Sequence, residues 1–334
     1  MGKSSPDSIQ SGWTKFLPNK AHPLRGYLYI AGATLLWGVS ASMGRAMFTG
    51  HPMPGGEVLH PIDPLVLAQA RTTISLLILF PVLMVTRGRT IALPKLDLYR
   101  AVILGILGVA ASNYLYYLAI QKTNVAIAIV IQYTAPAWVL LYLAARGRQR
   151  ATLPRVAAVA LAIVGCGLVI GLIGGGQFQV NAVGLIAAIL ASLAFSFYNL
   201  GGHDLLARHD RWKVLLYTLA SAAVFWITIN PPWKIAAAHY SGAQWSFLFV
   251  FAMTSVLLPF PLYFAGLQHL GATSAIVTSC LEPVFSIILA AILLGERVRP
   301  LQTIGILTVL AATVLVQMPE RGAREEVAIV EPIE

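Results

Sequence analysis

The chain has 334 residues, of which 57% are hydrophobic and 11% charged, against about 25% charged in an ordinary soluble domain. The apolar residues fall in blocks of roughly twenty, the length that crosses a bilayer as a helix, which excludes a pair of soluble domains. The net charge of +10 does not point to nucleic acid, because the basic residues sit between the apolar blocks, where topology signals of membrane proteins lie.

Residues 1–25 are polar, include Pro6, Asp7, Lys15, Pro18 and Lys20, and lack the pattern of a cleavable signal peptide, so they read as a cytoplasmic tail. Ten apolar blocks follow, at 27–48, 64–86, 98–119, 124–145, 152–173, 182–203, 213–230, 246–267, 272–293 and 299–317, each a transmembrane helix by length. The seventh stops at Asn230-Pro231-Pro232, and the eighth and ninth are separated by no more than His269-Leu270-Gly271. Residues 319–334 form a second polar tail. With the amino terminus inside, 17 of the 23 Lys and Arg residues fall on the inner side and 4 on the outer, with Arg45 and Arg71 inside spans. That bias sets both termini in the cytoplasm. Cys166 and Cys280 lie in apolar blocks and read as small packing residues, not a disulfide or a metal site.

Sliding the chain on itself by 147 positions pairs Tyr116 with Tyr263, Gln121 with Gln268, Ala128-Ile129-Val130 with Ala275-Ile276-Val277 and Pro136 with Pro283; a shift of 158 pairs Gly44-Arg45 with Gly202-His203. Five spans per half is an odd number, so the halves, 26–174 and 181–318, must run in opposite orientations. The expected architecture is an all-α integral membrane protein of ten transmembrane helices in two inverted five-helix repeats.

Tyr117-Leu118-Ala119-Ile120 with Thr123, Gly266-Leu267 with Gly271-Ala272, Leu281-Glu282-Pro283, Gly295-Glu296 and the intramembrane Arg71 together resemble the EamA branch of the drug/metabolite transporter superfamily. The resemblance covers roughly residues 27–317. It implies inverted repeats, a central cavity and alternating access, in a bacterial inner membrane, with amino acids and other small metabolites as exported cargo. The sequence departs from the pattern where the first repeat has Ala135 in place of Glu282 and Arg148-Gln149 in place of the Gly-Glu pair, and in a long proline-rich loop at 50–62.

Ionisable groups inside spans are costly unless they are paired or face a watery cavity. Glu282 lies near the midplane and reads either as a substrate or proton site beside a kink at Pro283, or as a partner for backbone freed by that proline. Arg71 reads as a carboxylate-binding group or as a group fixed by carbonyls. Polar and aromatic residues inside the spans complete the candidate substrate-binding set: Trp37, Asn113, Tyr114, Tyr117, Gln132, Tyr133, Tyr198, Asn199 and Ser279. A mixed lining of this kind suits a small amphipathic solute such as a neutral or aromatic amino acid; the competing reading is an aromatic belt or plain packing. Gly167 and Gly171 form a GxxxG pair expected to bring helices close. His51, Glu57 and His60 are explained by an irregular outer loop without a metal.

No HExxH, GxSxG or soluble catalytic domain is legible, so no enzyme, cofactor or metal is expected. The expected partners are a small-molecule substrate, the lipid bilayer and, through Glu282, protons; nucleic acid is not among them. The runner-up within transport is an antiporter for a carboxylated or phosphorylated metabolite, favoured by Arg45 and Arg71. A passive channel differs from both in showing no saturable counterflow.

Overall fold

The computed structural model describes residues 22–49, 62–123, 125–170, 181–294 and 298–316. Among the described residues the regular structure is helical and no strand occurs. A helix satisfies its backbone N–H and C=O groups within one segment, which lipid cannot do for it.

α1 (Pro23–Thr49) has 27 residues, about 40 Å of helix at 1.5 Å per residue. α2 (Pro64–Arg87) starts on Asp63, whose carboxylate caps the Leu65 N–H at 2.7 Å. α3 (Lys95–Ile103) runs through a π-helical stretch, Leu104–Ala110, into α4 (Ala111–Lys122). α5 (Val125–Gln132) and α6 (Ala135–Ala145) are successive segments broken at Tyr133 and Thr134, and α7 (Leu153–Val169) follows. In the second half come α8 (Ala182–Leu206), α9 (Arg211–Ile229), the short α10 (Pro232–Ala237) and α11 (Gly242–Ala252). A second π-helical stretch, Met253–Leu257, leads into α12 (Pro259–His269), and α13 (Ala272–Ser279), α14 (Leu281–Leu294) and α15 (Pro300–Leu315) close the chain's described part.

Seven helical stretches among the described residues are long and apolar enough to cross a membrane: Leu65–Arg87, Lys95–Ile120, Ile127–Ala145, Ala182–Leu206, Arg211–Ile229, Gly242–His269 and Ala272–Leu289. α7 and α15 are apolar but shorter, at 17 and 16 residues. The separation at His269-Leu270-Gly271 is a true break, since Leu270 and Gly271 both take extended backbone.

The two halves share their punctuation. α2 and α9 begin 147 residues apart, and so do α3 and α11, and α7 and α15; α4 and α12 end 147 apart, as do α5 and α13. The caps repeat as well, since Asp210 takes the Trp212 N–H at 3.0 Å just as Asp63 takes that of Leu65. Shifted by the same 147, Leu104–Ala110 overlies the second π-helical stretch.

Three expectations change. The continuous third and eighth spans each contain a π-helical stretch. The ninth is not one helix kinked at Pro283: it breaks at Cys280, and Pro283 sits in the first turn of α14, where a missing N–H costs nothing. The close contact expected at Gly167 is made at Gly165, because a side chain at Gly167 would meet open space. A Cβ on Gly165 would lie 2.7 Å from Val309 Cγ2, and one on the facing Gly305 would lie 2.6 Å from the Val169 N, so α7 and α15 approach backbone to backbone. Gly171 and the loop holding His51, Glu57 and His60 lie outside the described residues.

At one end of the bundle the halves are tied by charge. Asp97 on α3 accepts from Arg100 and Arg208 at 2.9 Å each and meets His209 Nε2 at 2.8 Å, while Arg87 at the end of α2 pairs with Asp210 at 2.8 Å.

Candidate functional site

α1, α2, α4, α5, α8, α12, α14 and the two π-helical stretches surround a cavity of about 140 Å³. One wall is polar: Arg71 from α2, Asn113, Tyr116 and Tyr117 from α4, Gln132 and Tyr133 at the α5 break, and Glu282 from α14. The other is mostly aromatic, with Trp37, Phe195, Tyr198 and Phe260, joined by Ser40, Gly108, Val109, Ser112, Ile129 and Ser255. The size is that of the roughly 150 Å³ apolar cavity known to take benzene.

Irregular backbone builds this space. In each π-helical stretch the hydrogen bonds run from i to i−5, as in Leu258 N–H to Met253 O at 3.0 Å and Ala111 N–H to Ile106 O. The widened turn frees carbonyls for side chains, a habit of π-bulges at functional sites. The Trp37 indole N–H donates to Ser255 O at 3.1 Å, and the Asn113 amide donates to Val109 O at 2.7 Å. At the α5–α6 break the Ser196 hydroxyl donates to Ala135 O at 3.2 Å, and Ser192 and Thr134 share a hydroxyl hydrogen bond at 2.9 Å. Polar side chains of α8 thus satisfy the broken segment.

Two opposite charges meet this cavity. A charged side chain at the bilayer centre costs about 2.5–3.5 kcal/mol on insertion scales, so each must be held by something. The Arg71 guanidinium donates through one terminal nitrogen to the Asn113 side-chain oxygen, and its carbon lies 5.8 Å above the centre of the Tyr117 ring. Its Nε is buried with no hydrogen-bond partner, as is the Tyr198 hydroxyl. Glu282 accepts from the Tyr133 hydroxyl at 2.7 Å through Oε2. The break at Cys280 puts Glu282 in the first turn of α14, the end of a helix at which the dipole favours a carboxylate, by about 0.3–1 kcal/mol. None of the ion pairs among the described residues involves Arg71 or Glu282.

Residues 24–171 and 182–318 each match the EamA-like transporter family. The chain belongs to that family. Among relatives of this EamA-like transporter, the uncharacterized inner membrane transporter YicL of Salmonella typhimurium is 23% identical over 299 residues, covering 89% of this chain and 96% of that protein. The uncharacterized transporter YcbK of Bacillus subtilis is 26% identical over 63% of this chain and 69% of its own length. The threonine/homoserine exporter RhtA of Escherichia coli is 26% identical over 60% of this chain and 65% of its own. A solved crystal structure superposes with a TM-score of 0.70 at 18% identity, covering 87% of this chain and 96% of its own, a likeness of fold. The family and these relatives are transporters, and the EamA-like chain is a multi-pass membrane protein.

Of the eleven candidate residues read from the sequence, eight line the cavity: Trp37, Arg71, Asn113, Tyr117, Gln132, Tyr133, Tyr198 and Glu282. Three lie elsewhere. Tyr114 turns outward against Phe225 and Trp226, with ring centroids 6.2 and 6.3 Å away. Asn199 is fully buried, accepting from the Tyr263 hydroxyl and donating to Phe195 O at 2.8 Å. Ser279 closes on its own helix, donating to Ile276 O at 2.7 Å. The Arg45 side chain lies outside the described residues.

The lining also contains residues that chemistry alone does not single out, and the repeat supplies the signal for several. The 147 shift pairs Gly108 with Ser255 and Asn113 with Phe260, and the 158 shift pairs Trp37 with Phe195 and Ser40 with Tyr198; every member of these pairs lines the cavity.

Proposed function

We propose that this EamA-like protein is a secondary transporter that exports small neutral amino acids by alternating access, with ten crossings arranged as two inverted repeats. The observation that carries the reading is the cavity itself, lined by residues of both halves, four pairs of them repeat-related, and holding one charged residue from each. The shared 147-residue punctuation and the separate family matches of 24–171 and 182–318 support the repeat; α1, α7 and α15 supply the three crossings beyond the seven long apolar stretches. An inverted pair with a central site is the architecture that rocks between two openings. The basic residues between spans favour an inner-membrane orientation with both termini in the cytoplasm.

The cavity's size favours a solute such as threonine or leucine; phenylalanine requires the aromatic wall to move. The relationship to a threonine/homoserine exporter points the same way. Proton coupling falls to Glu282, the acidic group of the cavity lining. A carboxylated or phosphorylated cargo is favoured by the unpaired Arg71 and opposed by Glu282 on the same wall.

The test is efflux. Cells overproducing the protein and loaded with labelled threonine, leucine or phenylalanine should lose threonine or leucine faster than cells carrying an empty vector. Equal rates for all three contradict amino-acid export.

A further inference from the structure

We propose that the cavity binds its solute as a zwitterion, with the solute carboxylate on the Arg71 guanidinium and its ammonium on the Glu282 carboxylate. The inference rests on the transport reading above and narrows it to α-amino acids in which both groups are free.

The two residues face the same cavity from different halves of the chain, Arg71 from α2 and Glu282 from α14. They do not pair with each other within 4 Å, and no other charged residue among those described pairs with either. Their existing contacts orient without neutralising. Asn113 takes one guanidinium nitrogen, the Tyr117 ring lies beneath, and Tyr133 occupies one oxygen of Glu282. A low-dielectric space that holds an arginine and a glutamate not joined in a direct ion pair selects a solute that supplies both counter-charges.

Other charge types fit worse. An anion satisfies Arg71 but adds a second negative charge to a cavity that already holds Glu282. A cation has the converse defect, and an uncharged solute leaves both groups unpaired. The solute side chain then falls to the aromatic wall of Trp37, Phe195, Tyr198 and Phe260.

The pair is not a by-product of the repeat. Shifted by 147 positions, Arg71 falls on Thr218 and Glu282 on Ala135, so each half contributes one charge that the other half lacks. A zwitterion therefore bridges the halves, and the bridge forms only when both of its charged groups are present.

The experiment measures tryptophan-fluorescence titrations of purified protein with threonine, leucine and phenylalanine, each beside its amide, which lacks the carboxylate, and its deaminated acid, which lacks the ammonium. For any parent that binds, both analogues should bind about tenfold or more weakly, the scale of one charged hydrogen bond. Arg71→Gln should shrink the gap between parent and amide to within about threefold while keeping the gap to the deaminated acid, and Glu282→Gln should do the reverse. An amide or deaminated acid that matches its parent on the unmodified protein overturns the clamp, and does so even if a variant fails to fold. Variants that weaken all three ligands of a series alike overturn it too, while amino-acid export survives. If none of the three amino acids binds but another solute class does, the export reading fails and takes the clamp with it.

Discussion

Tyr133→Phe keeps a ring in the α5–α6 break and removes one hydroxyl, the donor to Glu282 Oε2 at 2.7 Å. That bond ties the broken helix of the first half to the broken helix of the second along one wall of the cavity. A hydrogen bond to a charged group contributes about 1.5–3 kcal/mol net, and 1.4 kcal/mol is a factor of ten. If the halves part when the cavity opens to the other side, the substitution should shift the balance between the two openings by about 10- to 100-fold. A single cysteine at Ser112, which lines the cavity, reports this balance through its labelling by membrane-impermeant maleimide from each side. The native cysteines interfere little, since Cys166 and Cys280 are buried. A change in the ratio of two-sided labelling below about twofold, with normal protein yield, would refute a role for the bond in holding the halves together.

Trp37→Ala removes part of the aromatic wall and the hydrogen bond to Ser255 O; threonine transport should fall more than phenylalanine transport, and equal losses that track protein yield would indicate packing alone. Gly305→Val should lower the yield of folded protein sharply, because its Cβ would already meet the Val169 N at 2.6 Å; normal yield in a membrane-extraction assay contradicts the packing described for α7 and α15. Cysteine probes at 87–97, 146–151 and 205–211 should react from the cytoplasmic side alone, and outward labelling of any one breaks the ten-crossing topology. Glu282→Gln should abolish the pH dependence of net transport while leaving exchange measurable; an unchanged pH profile removes Glu282 from coupling.

The spans are legible because crossing a bilayer is a demand on length and apolarity, both local properties of the chain. The expected start of the second span at 64 and of the sixth at 182 coincide with helix starts in the structure. The irregular backbone is not legible in the same way. Leu104–Ala110 and Met253–Leu257 interrupt their helices without a proline or a charged residue, so nothing in their residue types announces π winding. Pro136 and Pro283 do mark the helix breaks, but a proline inside an apolar run reads equally as a kink, and the first-turn position appears only when the break before it is known.

For the cavity, residue type carries a reading as far as the helix and no further. Asn113 and Tyr114 are neighbours in sequence, as are Tyr198 and Asn199, yet successive residues on a helix point about 100° apart. One member of each pair lines the cavity and the other packs behind it. Composition cannot supply that rotational phase. The repeat supplies it for some positions, since four lining pairs, such as Gly108 with Ser255 and Trp37 with Phe195, are repeat counterparts, although Gln132 lines the cavity and its counterpart Ser279 does not. The charges are not supplied this way, because Arg71 and Glu282 have no charged counterparts.

Counterflow in proteoliposomes tests the central claim most directly. Vesicles holding the purified protein and loaded with unlabelled threonine or leucine should take up the labelled amino acid to a transient level above equilibrium, saturably, because a carrier with one alternating cavity exchanges solute for solute. Labelled amino acid that only equilibrates, at a rate proportional to its concentration and indifferent to what the vesicle contains, would contradict a carrier of amino acids.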